Sequence, residues 1–376
     1  MDQIRLSKSV VAEEEKLALE RVIDTGYLGM GTEVKLFEQE ICEFLGTDYQ
    51  VICVNSGTAA LHLALQALGI GSGDEVLVPS FTYVATFQAI SATGARPISC
   101  DVIARTGFVD IEDAESRITC KTKAIIPVHY ASNNEGIEKV YALADKHGLR
   151  VVEDAAHSFG CKSKGSTVGK RGDIICFSFD GIKNITSGEG GAVVTGDKHV
   201  AQCVKDARLL GVEKDTEKRF ERRRSWSFDV TAQGWRYHMS DVMAAIGREQ
   251  LKKAELFFRR RREIAKTYSR ALASCEQIDL LAIDYNEDIV PHIFPITVKN
   301  NRDQLQKYLQ EQGIETGLHY SPCHKLSLYS RGEVLSNTEK LEKEILSLPI
   351  HPGLSNEDVG FVIAKLIFWD ETNGLN

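Results

Sequence analysis

The sequence predicts an α/β protein: a large, mixed but mostly parallel sheet covered by helices, followed by a smaller α+β unit. Three observations carry that reading. From residue 51 to about 210, short apolar segments alternate with amphipathic segments of helical length. The residues able to carry chemistry fall at or just past the ends of the apolar segments, where ligands sit in sheets of this kind. Beyond a basic stretch and a long helical run, the pattern changes to strand, helix, strand and closing helices. The domains expected are therefore residues 1–250, with an N-terminal helical segment, and 251–376. A chain of 376 residues can bury a core for each.

In chain order, residues 11–24 read as an amphipathic helix. Thr32 is the expected cap of a second helix that runs through Val34, Phe37 and Ile41 and stops at Gly46. Strand 51–54 leads through Asn55-Ser56-Gly57-Thr58 into helix 61–68. A helix start among small residues can hold a phosphate, because its first N–H groups are unpaired and its dipole favours an anion; capping by Ser56 or Thr58 is the alternative. Strand 76–78 is followed by Pro79 to Tyr83 and helix 84–92. Strands are expected at 97–100, 124–128 and 150–152, with helices at 111–118 and 136–147; the last of these strands ends in Glu153-Asp154-Ala155-Ala156-His157. Residues 177–194, FSFDGIKNITSGEGGAVV, hold a single lysine, Lys183, ahead of a run of small residues and a short strand, 192–194. Helix 199–210 precedes residues 214–226, KDTEKRFERRRSW, which have no apolar period; they read as a mobile loop, either a solvated charge run or a flap that meets an anionic substrate. Ser240 is the expected cap of one long helix running to about Leu272. Strand 293–298, helix 302–312, strand 315–320 and helices near 337–346 and 356–368 close the chain.

Composition narrows the function. A formal net charge of −8 argues against bulk nucleic-acid binding. There is no apolar run long enough to span a bilayer and no signal-like segment at the start. Nine scattered cysteines without a CxxC pair suit a reduced, cytoplasmic chain and offer no metal site. Gly26 to Gly31 is not a GxGxxG and follows no strand, which leaves a dehydrogenase without its dinucleotide motif.

A lone lysine on a tight, glycine-flanked turn is either a solvated residue of a β-hairpin or an amine that must lose its proton and attack an aldehyde. The companions needed by the second reading are present at strand ends. A cofactor with an aldehyde, a pyridine ring and a phosphate requires an amine, a carboxylate to keep the ring nitrogen protonated, a flat side chain against the ring and a phosphate cup. Lys183 and Asp154 supply the first two. His157 can sit beside the ring, Tyr83 or Phe81 can stack on it, and Gly57, Thr58 and Ser178 can hold phosphate. Each has a structural alternative as a cap or a core residue.

The segments NSGTAALHLAL (55–65), GDEVLVPSFTYVAT (73–86), VVEDAAHSFG (151–160), FSFDGIKNITSGEGGAVV (177–194) and MSDVMAAIGREQL (239–251) resemble the DegT/DnrJ/EryC1/StrS family. GLHYSPCH (317–324) and LSLPIHPGLS (346–355) resemble its C-terminal unit. The resemblance implies the aspartate-aminotransferase fold type I and pyridoxal 5'-phosphate, passing through its pyridoxamine form. It implies Lys183 as the cofactor-linking lysine, Asp154 as partner of the pyridine nitrogen and His157 beside the ring. Tyr83 would stack on the ring, and Ser178, Thr58 and Ala59 would hold the phosphate. It also implies a homodimer with interfacial active sites, in which a residue of 234–238 reaches the partner's phosphate. There the chain departs from the family's Gly-Tyr-Asn-Tyr-Arg, with Arg236 in place of asparagine and His238 in place of arginine; arginine can still bind phosphate with charge assistance. Relatives with histidine at the lysine position act as dehydratases, so Lys183 favours transamination. The expected substrates are an amino-acid donor, L-glutamate, and a nucleotide-linked keto-deoxyhexose, aminated at C4 in preference to C3. Such sugars feed O-antigen, lipopolysaccharide or glycosylated natural products. His319, Tyr320 and His324 are candidate sugar contacts. A dehydratase that keeps its lysine and a non-catalytic, cofactor-binding regulator are the alternatives.

Overall fold

The structure, a computed structural model, describes residues 3–373. Helices α1 (Glu13–Asp24) and α2 (Thr32–Leu45) precede the sheet, which begins with β1 (Gln50–Val54), α3 (Gly57–Ala67), β2 (Glu75–Pro79), α4 (Val84–Ala92), β3 (Arg96–Cys100) and α5 (Ile111–Ser116). It continues with β4 (Thr122–Ile125), α6 (Ile137–His147) and β5 (Arg150–Asp154). A small ribbon of β6 (Lys162–Ser163) and β7 (Ser166–Thr167) comes before β8 (Ile174–Ser178) and β9 (Gly191–Thr195). The seven long strands lie in the order β1-β9-β8-β5-β4-β2-β3. The pairs β2 with β3, β2 with β4, β4 with β5 and β5 with β8 are parallel; β9 is antiparallel to both β8 and β1. The connection from β8 to β9 contains no helix to cross the sheet, so the chain doubles back. That connection carries Lys183.

Alternation along the strands divides the sheet's faces. Val76, Val78, Val152 and Cys176 meet Leu61 and Leu65 of α3 and Phe87 of α4. Leu77, Ile125 and Val151 meet Val140 and Leu143 of α6. Val51, Cys53, Ile175 and Phe177 meet Val34, Phe37 and Ile41 of α2.

The chain then runs through α7 (Lys198–Ala207), α8 (Asp215–Phe220), α9 (Asp241–Lys252) and α10 (Ala254–Leu272). The small unit has an antiparallel sheet, β10 (Ile278–Leu280), β11 (Phe294–Val298) and β12 (Ile345–Leu348), with α11 (Arg302–Glu311), α12 (Ser336–Glu344) and α13 (Asn356–Asn373). Helix α10 joins the two cores. Ala254, Phe257 and Phe258 pack with the large sheet, whereas Ile264, Tyr268 and Leu272 pack with the small one. Ile4 also belongs to the small core, through a parallel bridge to Ile314.

Several local expectations are corrected. Thr32 is the first residue of α2 and does not cap it; the N–H groups of Gly31 and Val34 instead donate to Asp241 Oδ1 at 2.8 and 3.1 Å. A carboxylate from a distant helix start thus satisfies these donors. The basic stretch 214–226 contains a helix, because Asp215, buried, accepts from Arg219 Nε at 2.7 Å and from Ser225 N at 2.9 Å. An i,i+4 ion pair there does what an apolar period did not. The long helix 240–272 breaks at Lys253. Residues 315–320 make no strand; Gly317 alone pairs with Ser347. Ser240 caps α9 as expected, its Oγ accepting from Met243 N at 3.3 Å.

Candidate active site

The carboxyl ends of β5 and β8, the N-terminus of α3, the start of α4 and the β8–β9 turn converge on one cavity of about 440 Å³. Close approach of backbones builds its floor. A Cβ on Gly57 would lie 2.8 Å from Ser178 Cβ, and one on Gly191 would lie 2.5 Å from the Ser56 carbonyl oxygen. Only glycine permits both approaches. Ser56 is the cap of α3, its Oγ accepting from Ala59 N at 3.1 Å. The N–H groups of Gly57 and Thr58 stand ahead of the intrahelical ladder, and Gly57 lies beside the Ser178 hydroxyl.

Lys183 lines the same cavity. Its turn is pinned by Lys183 N donating to Asp180 O at 3.1 Å and by buried Asn184, whose Nδ2 donates to Phe159 O at 3.0 Å and Val290 O at 3.3 Å. The amine lies 3.4 Å from His292 Nε2. Burial pulls Lys183 down to about 8, against the opposing charges of Asp154 and Asp180 and with help from Arg261. Asp154 is 7% exposed; its Oδ2 accepts from Thr86 Oγ1 at 2.8 Å and its Oδ1 from Ala156 N at 3.2 Å.

Histidines close the site. His157 Nε2 is 3.0 Å from the Tyr320 hydroxyl, and its ring centroid is 4.4 Å from that of His292. Burial first, then the Lys183 charge, holds both rings well below the usual histidine range. His319, whose Nδ1 is 2.9 Å from Ser347 Oγ, is pulled to about 4 by the same two causes. These three imidazoles are neutral at pH 7. Tyr83, 60% exposed, stands at the mouth with its ring 5.8 Å from that of Tyr320.

The cavity therefore unites Gly57, Thr58, Tyr83, Asp154, His157, Ser178, Lys183, His319 and Tyr320. Four other expected residues stand apart from it, among them Phe81, which is fully buried against Tyr130 and does not line the cavity. Ala59 is buried behind the cap, its N–H engaged by Ser56. Arg236 is exposed and does not line the cavity. His324 is buried elsewhere, its Nδ1 2.7 Å from Ser80 Oγ and its Nε2 3.5 Å from a Glu339 oxygen. Sequence reasoning missed His292, Thr86, Asp180 and Glu189, which also line the site. Thr86 lies one helical turn from Tyr83, a readable signal; His292 is the one polar side chain in the run IVPHIF, which marks it as unusual without saying which site it joins.

An amine with a lowered pKa, a buried carboxylate and an anion cup in one cavity are what a pyridoxal-phosphate enzyme demands, and these residues fit that cofactor. The profile of the DegT/DnrJ/EryC1/StrS aminotransferase family matches residues 10–367, and the chain belongs to that family. It is a sugar aminotransferase that uses pyridoxal phosphate, with the pyridoxamine form as its alternate state. The chain is 36% identical over 363 residues to the uncharacterized protein MJ1066 of Methanocaldococcus jannaschii, covering 93% of each. Among solved structures, S. venezuelae DesV is 35% identical with a TM-score of 0.88, over 95% of this chain and 94% of that one. The PLP-form of Spr1654 from Streptococcus pneumoniae is 28% identical with a TM-score of 0.90, over 98% of this chain and 99% of the other. No helix among the described residues is long and apolar enough to cross a membrane, and none of their His, Cys, Asp and Glu side chains form a group suited to a metal ion.

Proposed function

We propose that the chain moves an amino group from L-glutamate to the keto carbon of a nucleotide-linked deoxyhexose, with C4 as the favoured position. The observation that carries this reading is the Lys183 amine, lowered to about 8, in the same cavity as the Asp154 carboxylate and the Ser56–Thr58 and Ser178 donors.

Bound pyridoxal phosphate supplies an aldehyde and a ring that accepts electrons from a carbanion. Lys183 holds the cofactor at rest and, once released, moves a proton at the amino-bearing carbon of donor and sugar. A pKa of about 8 leaves a useful fraction of the neutral amine near neutral pH. Asp154 keeps the ring nitrogen protonated, held in place by Thr86. His157 is fixed by its Tyr320 contact and, uncharged, would sit beside the ring without competing for the Asp154 charge. Tyr83, which lines the cavity, would stack on the ring. Gly57, Thr58 and Ser178 bind the phosphate. His319 and Tyr320 meet the sugar. Arg236, outside its own cavity, serves the phosphate of the partner in a homodimer, and this is the role that its exposure suits.

Absorbance tests the first half-reaction. Protein loaded with cofactor is expected to show a resting visible band that L-glutamate converts to the pyridoxamine form. Lys183→Ala lacks the resting band and transfers amine at least about 10⁴-fold more slowly. A loaded protein whose spectrum no amino donor changes would overturn transamination. Product mass from a panel of keto-sugar nucleotides then reports gain of an amine or, for a dehydratase, loss of oxygen.

A further inference from the structure

Arg261, on α10, is 2% exposed, and among the described residues no carboxylate lies within ion-pair reach of it. Its guanidinium donates to carbonyls instead. Nη1 reaches Pro291 O at 3.3 Å, His292 O at 3.1 Å and Ile350 O at 3.0 Å; Nη2 reaches Ile182 O at 3.4 Å. These oxygens belong to three stretches of chain. Ile182 precedes Lys183, His292 touches the Lys183 amine, and Ile350 follows β12 in the small core. A neutral amide could fasten some of these carbonyls without burying a charge, and an uncompensated buried cation is costly. What the guanidinium adds is a planar fork that spans all four oxygens, and a fixed positive charge beside the Lys183 turn.

We propose that Arg261 is the positioning residue for Lys183: one buried guanidinium holds the Lys183 turn and the His292 backbone together and brings a positive charge to the surroundings of the amine. The inference rests on the reading of Lys183 as the reacting amine. The groups that face Lys183 are few. Asp154 from β5 and Asp180 from its own turn favour the ammonium, and Arg261 from α10 opposes it. His157, His292 and His319 are neutral at pH 7. Burial draws Arg261 itself down to about 10, so it stays charged at neutral pH.

The test uses the full chain. In cofactor-free protein, the pH dependence of Lys183 acetylation, read by mass spectrometry of its peptide, reports the ionisation of the amine, with a midpoint of about 8 expected in the wild type. Arg261→Met is expected to raise that midpoint by about one unit. In the loaded enzyme it should lower kcat by about tenfold or more, with KM for the amino donor little changed. Arg261→Lys keeps the charge and loses the fork, so it should restore the midpoint and leave kcat low. A folded Arg261→Met protein with a lower Tm but a wild-type midpoint and kcat would reduce Arg261 to a structural tie and overturn the proposal. If Arg261→Met does not fold, Arg261→Lys decides: wild-type kcat overturns the proposal, and low kcat with a wild-type midpoint supports it. Failure of the Lys183 reading shows separately, as a Lys183→Ala protein that keeps the resting band.

Discussion

Two carboxylates stand side by side on β5 and face opposite sides of the sheet. Glu153, 5% exposed, is engaged by protein groups: its Oε1 accepts from the Tyr141 hydroxyl at 2.6 Å, and its Oε2 lies 3.0 Å from His129 Nε2. Asp154, nearly as buried, has a hydroxyl and a backbone amide as partners, and no cation within ion-pair reach among the described residues. Those neutral donors hold the Asp154 carboxylate in place without neutralising it. Its charge is left for whatever enters the cavity it shares with Lys183. One carboxylate is spent on the fold and the next on the site, and the pleat of a single strand separates them.

The sharpest test of that division is Asp154→Asn. Thr86 can still donate to the amide oxygen, so the fold should hold, with the denaturation midpoint close to wild type. Loss of the charge should lower kcat by roughly 10³-fold, comparable to removing one electrostatic stabiliser from an enclosed site. Stopped-flow absorbance with L-glutamate measures it. A variant within a few-fold of wild type would mean that the Asp154 side is as structural as the Glu153 side.

Much of this arrangement was readable before the structure. Parallel strands put their carboxyl ends on one edge, so Ser56 to Thr58, Tyr83, Asp154 and Ser178 could be gathered from their positions in the alternating pattern alone. Helix 84–92 has the bounds expected of it. Of the residues that escaped, Thr86, Asp180 and Glu189 lie within that pattern, the two carboxylates with no signal of their own there, whereas His292 comes from outside it. His292 enters from the small unit, at the approach to β11, and no local rule links it to a lysine on the β8–β9 turn. His324 was grouped with His319 and Tyr320 by nearness in sequence; the chain turns it away onto Ser80, where it completes a buried hydrogen bond. The α2 cap escaped for the same reason, since Asp241 lies 210 residues from Gly31. Long-range satisfaction of polar groups is invisible to periodicity.

The histidines sharpen the comparison through pH. His157, His292 and His319 on the Asp154 side all have folded pKa values below 6.5, and that of His319 is about 4. The unfolded chain then binds more protons than the folded one between pH 6.5 and about 4. Stability is full above that window and is lost as pH falls through it. Holding His319 at about 4 corresponds by itself to something on the order of 3 kcal/mol. Urea denaturation of cofactor-free protein from pH 7 to pH 4 should show the decline, and His319→Asn should flatten it. An unchanged profile in the variant would mean that the His319 ring protonates freely in the folded chain.

On the other side of the strand, Glu153→Gln removes the charge that His129 and Tyr141 share. Stability should fall by about 1–3 kcal/mol, the usual cost of weakening a buried charged hydrogen-bond group. At saturating cofactor, kcat should stay within about threefold of wild type, since no Glu153 contact reaches the cavity with Lys183. Chemical denaturation and steady-state kinetics separate the two effects. A large loss of kcat without loss of stability would break the assignment of Glu153 to the fold.

Thr86→Val carries the smallest expected effect and tests how Asp154 is held. Thr86 is fully buried, and its hydroxyl lies 2.8 Å from Asp154 Oδ2 and 3.0 Å from Thr82 Oγ1. Valine keeps the shape and removes the donor, leaving Asp154 with the Ala156 amide alone among its hydrogen bonds. The carboxylate keeps its charge but gains freedom to turn, so kcat should fall by no more than about tenfold, or about 1.4 kcal/mol. Thr86→Ser should recover most of that loss, because the donor returns without the methyl group. If Thr86→Val instead matched Asp154→Asn, the orientation of the carboxylate would matter as much as its charge. If Thr86→Ser failed to recover, the methyl packing against α4's neighbours would be what places Asp154, and the hydroxyl would be incidental.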